Sequence, residues 1–449
     1  MTNRVKIVFF LLFLLINNCS FDDKTGLWSG GEKERRKILD LEKQQNQTLK
    51  ISKIYSSENI FNKELSLNKR LILSKPKNSF EWLTTNLNNQ NNIGNLYVSG
   101  VDNVVLKKKI GKNKNSLYPS FSPILVFNKS IFLSDATGSI YSINKKGKIN
   151  WKKNIYKKSY KKIHKNLVFT ISKGTIYIAD NIGFIYSINL LNGELIWIKN
   201  YGTPIKSELK VFEDKLFITD QDNKIICLDT KDGSINWNIY SIASFIKSQN
   251  QLSLSLSRNG DLFAITSSAD IFKIETGTGG IYWSRNTAES LFKNATDFFT
   301  SSGIVATEKE IIFSADSYTF SYNMINGSTN WKKLVTSVST PIIDKKNIFL
   351  VTHNGYFVVL KKENGKIISS TNILKVLKKK KRNTEIKSFI MGSGKIYSLT
   401  KNGYLIITSA STGKNEKFIK IGSSNISPLI INDGTLYMIT KDSKILGFN

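Results

Sequence analysis

The stretch Ile131 to Lys153, IFLSDATGSIYSINKKGKINWKK, is an apolar alternating run, a four-residue turn, a second alternating run, a glycine-containing turn, and a third run ending in Trp. The same plan recurs as IYIADNIGFIYSINLLNGELIWIK from Ile176 and as LFITDQDNKIICLDTKDGSINWNI from Leu216. Alternate residues of a strand share one face, so each unit presents strands with one coherent apolar side. The first turn opens with Asp, Ser or Thr, residues suited to tight reversals. Its openers are Asp135, Asp180, Asp220, Ser267, Ser314, Thr352, Thr400 and Thr440, eight copies spaced 38 to 48 residues apart. That period belongs to a four-stranded propeller blade.

The second turn carries Gly147, Gly193, Gly233, Gly279, Gly327, Gly365 and Gly413. Four residues on come Trp151, Trp197, Trp237, Trp283 and Trp331, then Ser369 and Lys417. An aromatic at a fixed offset predicts packing between neighbouring blades, so the last two of these units should have looser or differently filled junctions. The eighth unit ends at Asn449 before its glycine, and its outer strand is missing. An open sheet edge needs a strand from elsewhere, and Asn103 to Gly111 (NVVLKKKIG) has the size and alternation to supply it. The expected architecture is all-β: an eight-bladed β-propeller of four-stranded antiparallel blades over residues 80–449, the last blade closed by an N-terminal strand.

Composition limits the chemistry. The 449 residues include 65 Lys+Arg against 34 Asp+Glu, a net charge of +31, with 40% hydrophobic residues, too apolar for a disordered polycation. Two cysteines and two histidines exclude disulfide scaffolds, multi-cysteine zinc sites and di-histidine metal centres, and no catalytic or metal-ligating residue is assigned. His164 sits at a strand start and His353 in a blade turn. The basic residues are spread through nearly every unit, and the repeat has no recognition helix, so no nucleic-acid partner is expected.

Arg4 and Lys6 precede an apolar run from Ile7 to Ile16, too short to span a bilayer and fitting a secretory signal. With Cys19 directly after it, the stretch resembles a bacterial lipoprotein signal, although Asn17 and Asn18 depart from the usual small residues. The resemblance implies a signal peptide over 1–18, lipidation of Cys19 and, because Ser20 follows it, an outer-membrane destination. Residues 19–79 are polar and charged and read as a flexible tether.

Asp229 to Trp237 (DTKDGSINW), Glu275 to Trp283 (ETGTGGIYW) and Met324 to Trp331 (MINGSTNW) resemble the tryptophan-docking repeats of quinoprotein (PQQ-like) propellers. Eight such units behind a lipoprotein signal resemble the BamB family of outer-membrane assembly lipoproteins. That resemblance implies a scaffold without enzymatic activity or cofactor, docking as a monomer on the POTRA domains of BamA within the BAM complex. The competing classes are a PQQ-dependent dehydrogenase and a general periplasmic propeller adaptor. The dehydrogenase resemblance implies a quinone held between a Trp and an adjacent-cysteine disulfide, with Ca²⁺ nearby; Cys227 stands alone in IICLD, and Asp135, Asp180 and Asp220 recur as turn residues.

Two longer connections are candidate surfaces. Asn286 to Phe299 follows Trp283, and Leu291, Phe292 and Lys293 are its expected partner-binding residues, apolar anchors with a flanking charge; Phe298 and Phe299 read instead as the innermost strand of the fifth blade. The second, Ile373 to Ile386, holds a basic run from Lys378 to Arg382 that suits anionic headgroups or an acidic partner.

Overall fold

The alternation of the repeats is realised as eight four-stranded antiparallel sheets in a computed structural model. It describes residues 61–112, 123–160, 163–241, 251–288, 299–422 and 427–449, with residues 20–21, 28–29 and 36. Residues 1–60 form a separate unit, in which Ser20–Phe21 pairs antiparallel with Trp28–Ser29; Phe61–Asn449 is the second unit.

Blade 1 comprises, from inner to outer edge, Leu125–Phe127, Ser130–Ser134, Ile140–Asn144 and Ile149–Lys153. Blades 2 to 7 repeat this over 167–200, 210–240, 254–286, 305–333, 342–372 and 386–420. The second and third strands of each blade are covered on both faces, so Ile131, Ile143, Ile176 and Ile188 are fully buried. The outer strand is wetted on one side: in Leu195–Asn200 Trp197 is the inward residue between exposed neighbours. In all seven of these blades the ladder between third and outer strand shifts register beside the repeat position, as between Ser187 and Ile188 opposite Trp197. Such a bulge re-aims one side chain, and here it turns the Trp, or its Ser369 or Lys417 replacement, toward the next blade.

Blade 8 combines Ile430–Asn432, Thr435–Ile439 and Lys444–Phe448 with Val104–Lys109, which pairs antiparallel outside Lys444–Phe448. The expected closing strand is therefore in place. Asn103 and Asn449 exchange amide-to-carbonyl bonds, each 3.0 Å, which fastens the C-terminus beside that strand.

The body starts earlier than position 80. Leu65 and Ser370 exchange backbone hydrogen bonds of 2.9 and 2.8 Å, the Leu71 amide donates to the Ser411 carbonyl at 2.9 Å, and the Ser74 amide donates to Asp344 Oδ2 at 2.8 Å. Residues 61–79 thus run along blades 6 and 7, where the outer strand without an indole leaves an edge to be covered. Beyond them the chain follows the inner rim of the ring. Trp82 exchanges two hydrogen bonds with Val126 of blade 1, Leu83 accepts from Ile171 of blade 2, and Asn89 side-chain nitrogen donates to Val211 of blade 3. Asn89 and Gln90 carbonyls then accept from Leu256 of blade 4 and Ala306 of blade 5, Leu96 donates to Met391 of blade 7, and Ser99 donates to Gly434 of blade 8.

Candidate functional site

Each repeat Trp reaches the following blade. The indole Nε1 groups of Trp151, Trp197, Trp237, Trp283 and Trp331 donate to the carbonyls of Leu190, Thr230, Thr276, Met324 and Lys362 at 2.8–3.3 Å. The ring lies flat on the next blade's turn: a Cβ on Gly193, Gly233, Gly279, Gly327 or Gly365 would fall 2.6–2.9 Å from the indole. These glycines also have φ between +64° and +82°, so turn geometry and docking both demand the missing side chain. An aromatic of the same blade lies near four of the indoles (Phe132, Tyr177, Phe217 and Phe263, centroids 5.9–6.3 Å away), a partner that the sequence reading did not single out. Gly147 lies instead against the closing strand, where its Cβ would meet Leu106 and Lys108 at 3.1 Å.

The axial channel is filled at one end by the rim-following segment. Its Asn91 is fully buried and donates from Nδ2 to Glu208 Oε1, the Leu254 carbonyl and the Ile304 carbonyl at 3.2, 2.9 and 3.0 Å. The Lys210 ammonium, also fully buried, donates to Asn91 Oδ1 at 2.6 Å and to the Asn88 carbonyl at 3.0 Å, and pairs with Glu208 at 3.2 Å. Glu208 further accepts from the Ser253 hydroxyl and the Leu254 amide at 2.9 and 3.1 Å. Burial pushes the Lys210 ammonium below its ordinary range, against the pull of Glu208. A buried pair is tolerable only when its remaining valences are satisfied in this way. Against this plug lies a cavity of about 410 Å³, lined by Thr85, Asn86, Ser302, Ser337, His353 and Lys387 among others. The plug, the main departure from the sequence reading, left one signal there: the amide-rich NLNNQNN from Asn86 to Asn92.

The repeated carboxylates are turn caps. Asp180 Oδ1 accepts the amides of Ile182, Gly183 and Phe184, each at 2.9 Å, and Asp135 and Asp220 hold their own turns likewise. Thr352 and Thr400 do the same through Oγ1, accepting the Tyr356 and Tyr404 amides at 2.9 Å. Cys227 lies fully buried in the third strand of blade 3, opposite Phe217 and Trp237, and burial pushes its thiol up to about 12. It faces blade packing and not the channel, so the described residues do not fit the quinone clamp that the dehydrogenase resemblance implies. Among them, no three His, Cys, Asp or Glu side chains converge on one point. His164 is held through its backbone carbonyl by Asn181, and His353 borders the cavity with its imidazole kept below the usual range, chiefly by burial and then by Lys387.

Leu291, Phe292 and Lys293 lie outside the described residues, as do Cys19 and the apolar run before it. Phe299 is buried against the core between blades 4 and 5, but the inner strand of blade 5 is Val305–Ala306, so the expectation for Phe299 is corrected by six residues. Pairing with the second strand begins just after Phe299, where Ser301 bridges Ala315 and the Ser302 amide donates to the Ser314 carbonyl, and is interrupted before Val305.

Indole docking, bulged outer strands and a shared closing blade define an eight-bladed propeller of the quinoprotein-repeat class. The family model for the outer membrane protein assembly factor BamB matches residues 124–371, more than half of the chain, and the chain belongs to this family. Among solved structures, BamB from Moraxella catarrhalis is similar at 13% identity and a TM-score of 0.62, over 77% of this chain and 99% of that one. The quinohemoprotein alcohol dehydrogenase from Comamonas testosteroni is similar at 11% identity and a TM-score of 0.60, over 82% and 80%. The computationally designed Ika8 protein is similar at 11% identity and a TM-score of 0.58, over 76% and 98%. At such identities the likeness is one of fold. No curated protein sequence matches significantly.

Proposed function

We propose that this protein is a non-enzymatic scaffold of the outer-membrane β-barrel assembly machinery. In this reading it is exported, anchored to the periplasmic face of the outer membrane through lipidated Cys19, and docked on the POTRA domains of BamA. Family membership supports the assembly role. The observation that carries the non-enzymatic part is the plugged end of the channel: Trp82, Asn86 and Ile93 of the chain itself line the cavity there, and the segment is locked by Lys210, Glu208 and Asn91. Cys227, held in a sheet, supports the same reading. The enzymatic alternative rests on likeness of fold to quinohemoprotein dehydrogenases.

Leu291, Phe292 and Lys293 are the proposed anchors on the connection between blades 4 and 5. The experiment is capture from detergent-solubilised envelope, with mass spectrometry of what co-purifies. Recovery of BamA by the parent and its loss in the Leu291→Asp, Phe292→Asp variant, at unchanged circular dichroism, is expected. Recovery of an unrelated periplasmic enzyme would overturn the assembly role, and capture that survives the double change would overturn the choice of loop.

A further inference from the structure

The chain enters the propeller beside the loop that joins blade 6 to blade 7. Asn354 Nδ2 donates to the Phe61 carbonyl at 2.8 Å, and the Tyr356 hydroxyl donates to the Asn62 carbonyl at 3.0 Å. The Phe61 ring meets Tyr356 edge-on, centroids 5.7 Å apart. Glu64 accepts the Asn372 amide at 3.0 Å and pairs with Lys375. Leu65 then joins the outer edge of blade 6, so whatever precedes Phe61 leaves from this corner.

The loop here is a fixed element. Ile373, Leu374 and Leu377 are buried in the core between blades 6 and 7, and the Asn372 side chain accepts the Leu374 amide at 3.0 Å, capping the turn Ile373–Val376. Arg382 donates from Nε to the Leu377 carbonyl and from Nη2 to the Lys375 carbonyl, both at 2.9 Å. The basic residues of the loop therefore divide. Arg382 holds the loop together and Lys375 is neutralised by Glu64, whereas Lys378, Lys379 and Lys381 stand exposed around the turn Lys379–Lys381. Lys381 and Lys420 both lie over the Tyr404 ring, 5.1 and 4.2 Å from its centroid, adding a further cation. The carboxylate at the far end of the loop, Glu385, is engaged by Lys387 at 2.9 Å and Lys401 at 3.8 Å.

We infer that this corner of the ring, presenting Lys378, Lys379 and Lys381 beside the departure point of the N-terminal chain, is a membrane-facing surface that binds the anionic phosphate headgroups of a lipid bilayer. The inference rests on the proposed anchoring at Cys19. About forty residues separate Cys19 from Phe61, which bounds the distance from a lipidated Cys19 to this corner at about 150 Å however they are arranged. An anchor at one end therefore concentrates this corner at the bilayer. Basic residues gain attraction there only within about a Debye length of the charged surface, and a loop already ordered by Asn372 and Arg382 loses little freedom on contact.

The test uses the chain from Ser20 onward, which carries no acyl group, and vesicles of phosphatidylcholine with or without about one-third phosphatidylglycerol. Lys378→Gln, Lys379→Gln, Lys381→Gln should weaken partition onto the anionic vesicles by about 100-fold. The control Lys199→Gln, Lys231→Gln, Lys309→Gln removes the same charge from exposed positions on other blades and should change it by less than about threefold. Lys378→Glu, Lys379→Glu keeps Lys381 on Tyr404 and should weaken binding at least as much as the triple change, guarding against a folding defect. Equal losses in both triples would reduce the effect to net charge and overturn the inference. Undiminished vesicle binding with lost capture of BamA would make the loop a protein-docking site and overturn the lipid assignment. Because neither acylation nor partner enters the vesicle measurement, its failure leaves the assembly reading to the capture experiment.

Discussion

From blade 1 to blade 6 each junction is closed by an indole from the preceding blade, whereas the junctions from blade 6 round to blade 1 are closed by residues distant in sequence. Leu65, Arg70 and Leu71 reach Ser370 and Ser411 at blades 6 and 7. Lys417 stands where a Trp would and pairs with Asp102 at 2.5 Å, and Leu106, which lies on Gly147 of blade 1, belongs to the strand that pairs with Lys444–Phe448 of blade 8. An indole joins neighbours in sequence, so the first set can form locally as the chain is made. The second set requires the N-terminal hundred residues to find the C-terminal hundred, a loop closure whose entropy must be overcome by many contacts at once. The closing strand and rim segment bring those contacts together.

Removing an indole should test the local half most severely. Trp197 is nearly buried, donates to Thr230 and covers Gly233, and Trp197→Ala should cost about 4 kcal/mol in urea unfolding. A loss below about 1 kcal/mol would mean that the ring is held mainly by its distant contacts and would erase the contrast.

The distant half should respond more mildly and in a different place. Leu65→Pro removes the amide that donates to the Ser370 carbonyl, an expected cost of about 1 kcal/mol. Hydrogen exchange should quicken in Ile367–Asn372 and Asn415–Lys420 and stay unchanged in Leu195–Asn200. Uniform quickening across all three strands would show the N-terminal chain to be a global clasp, and the two halves would be one cooperative unit.

What could be read beforehand follows the same division. Asp135, Gly147 and Trp151 recur because each blade repeats one local solution, so blade number, strand order and the closing strand were all legible. The plug was not, because Asn86 to Asn92 repeats nothing and its amides meet partners more than 100 residues away, as Asn91 does at Leu254 and Ile304. The basic run was visible as charge, but only the contacts of Arg382 with Leu377 and Lys375 separate its structural member from its exposed ones. The start of the body at Phe61 was hidden for a related reason: Leu65 is polar-flanked and unpatterned, and its strand-like pairing is dictated by the edge of blade 6.

The smallest expected effect also falls in the distant half, where blade 6 opens its turn with Thr352 and His353. Burial first, then the charge of Lys387, holds the His353 imidazole below its ordinary range, with Glu385 acting in the opposite direction. The unfolded chain, with an imidazole near 6.5, therefore takes up its proton before the folded protein does. Above that value both states are neutral and the contribution is complete; as the pH falls below it, protonation favours unfolding, and stability declines until the folded imidazole is itself protonated. His353→Asn keeps a turn-compatible polar residue and removes the proton site. Its melting temperature should fall less between pH 7 and pH 5 than that of the parent, while His164, shifted in the same direction by its own burial, keeps part of the slope in both. Parallel slopes would show that His353 is already wetted by the cavity it borders, placing the mouth of the channel in free exchange with solvent at blade 6.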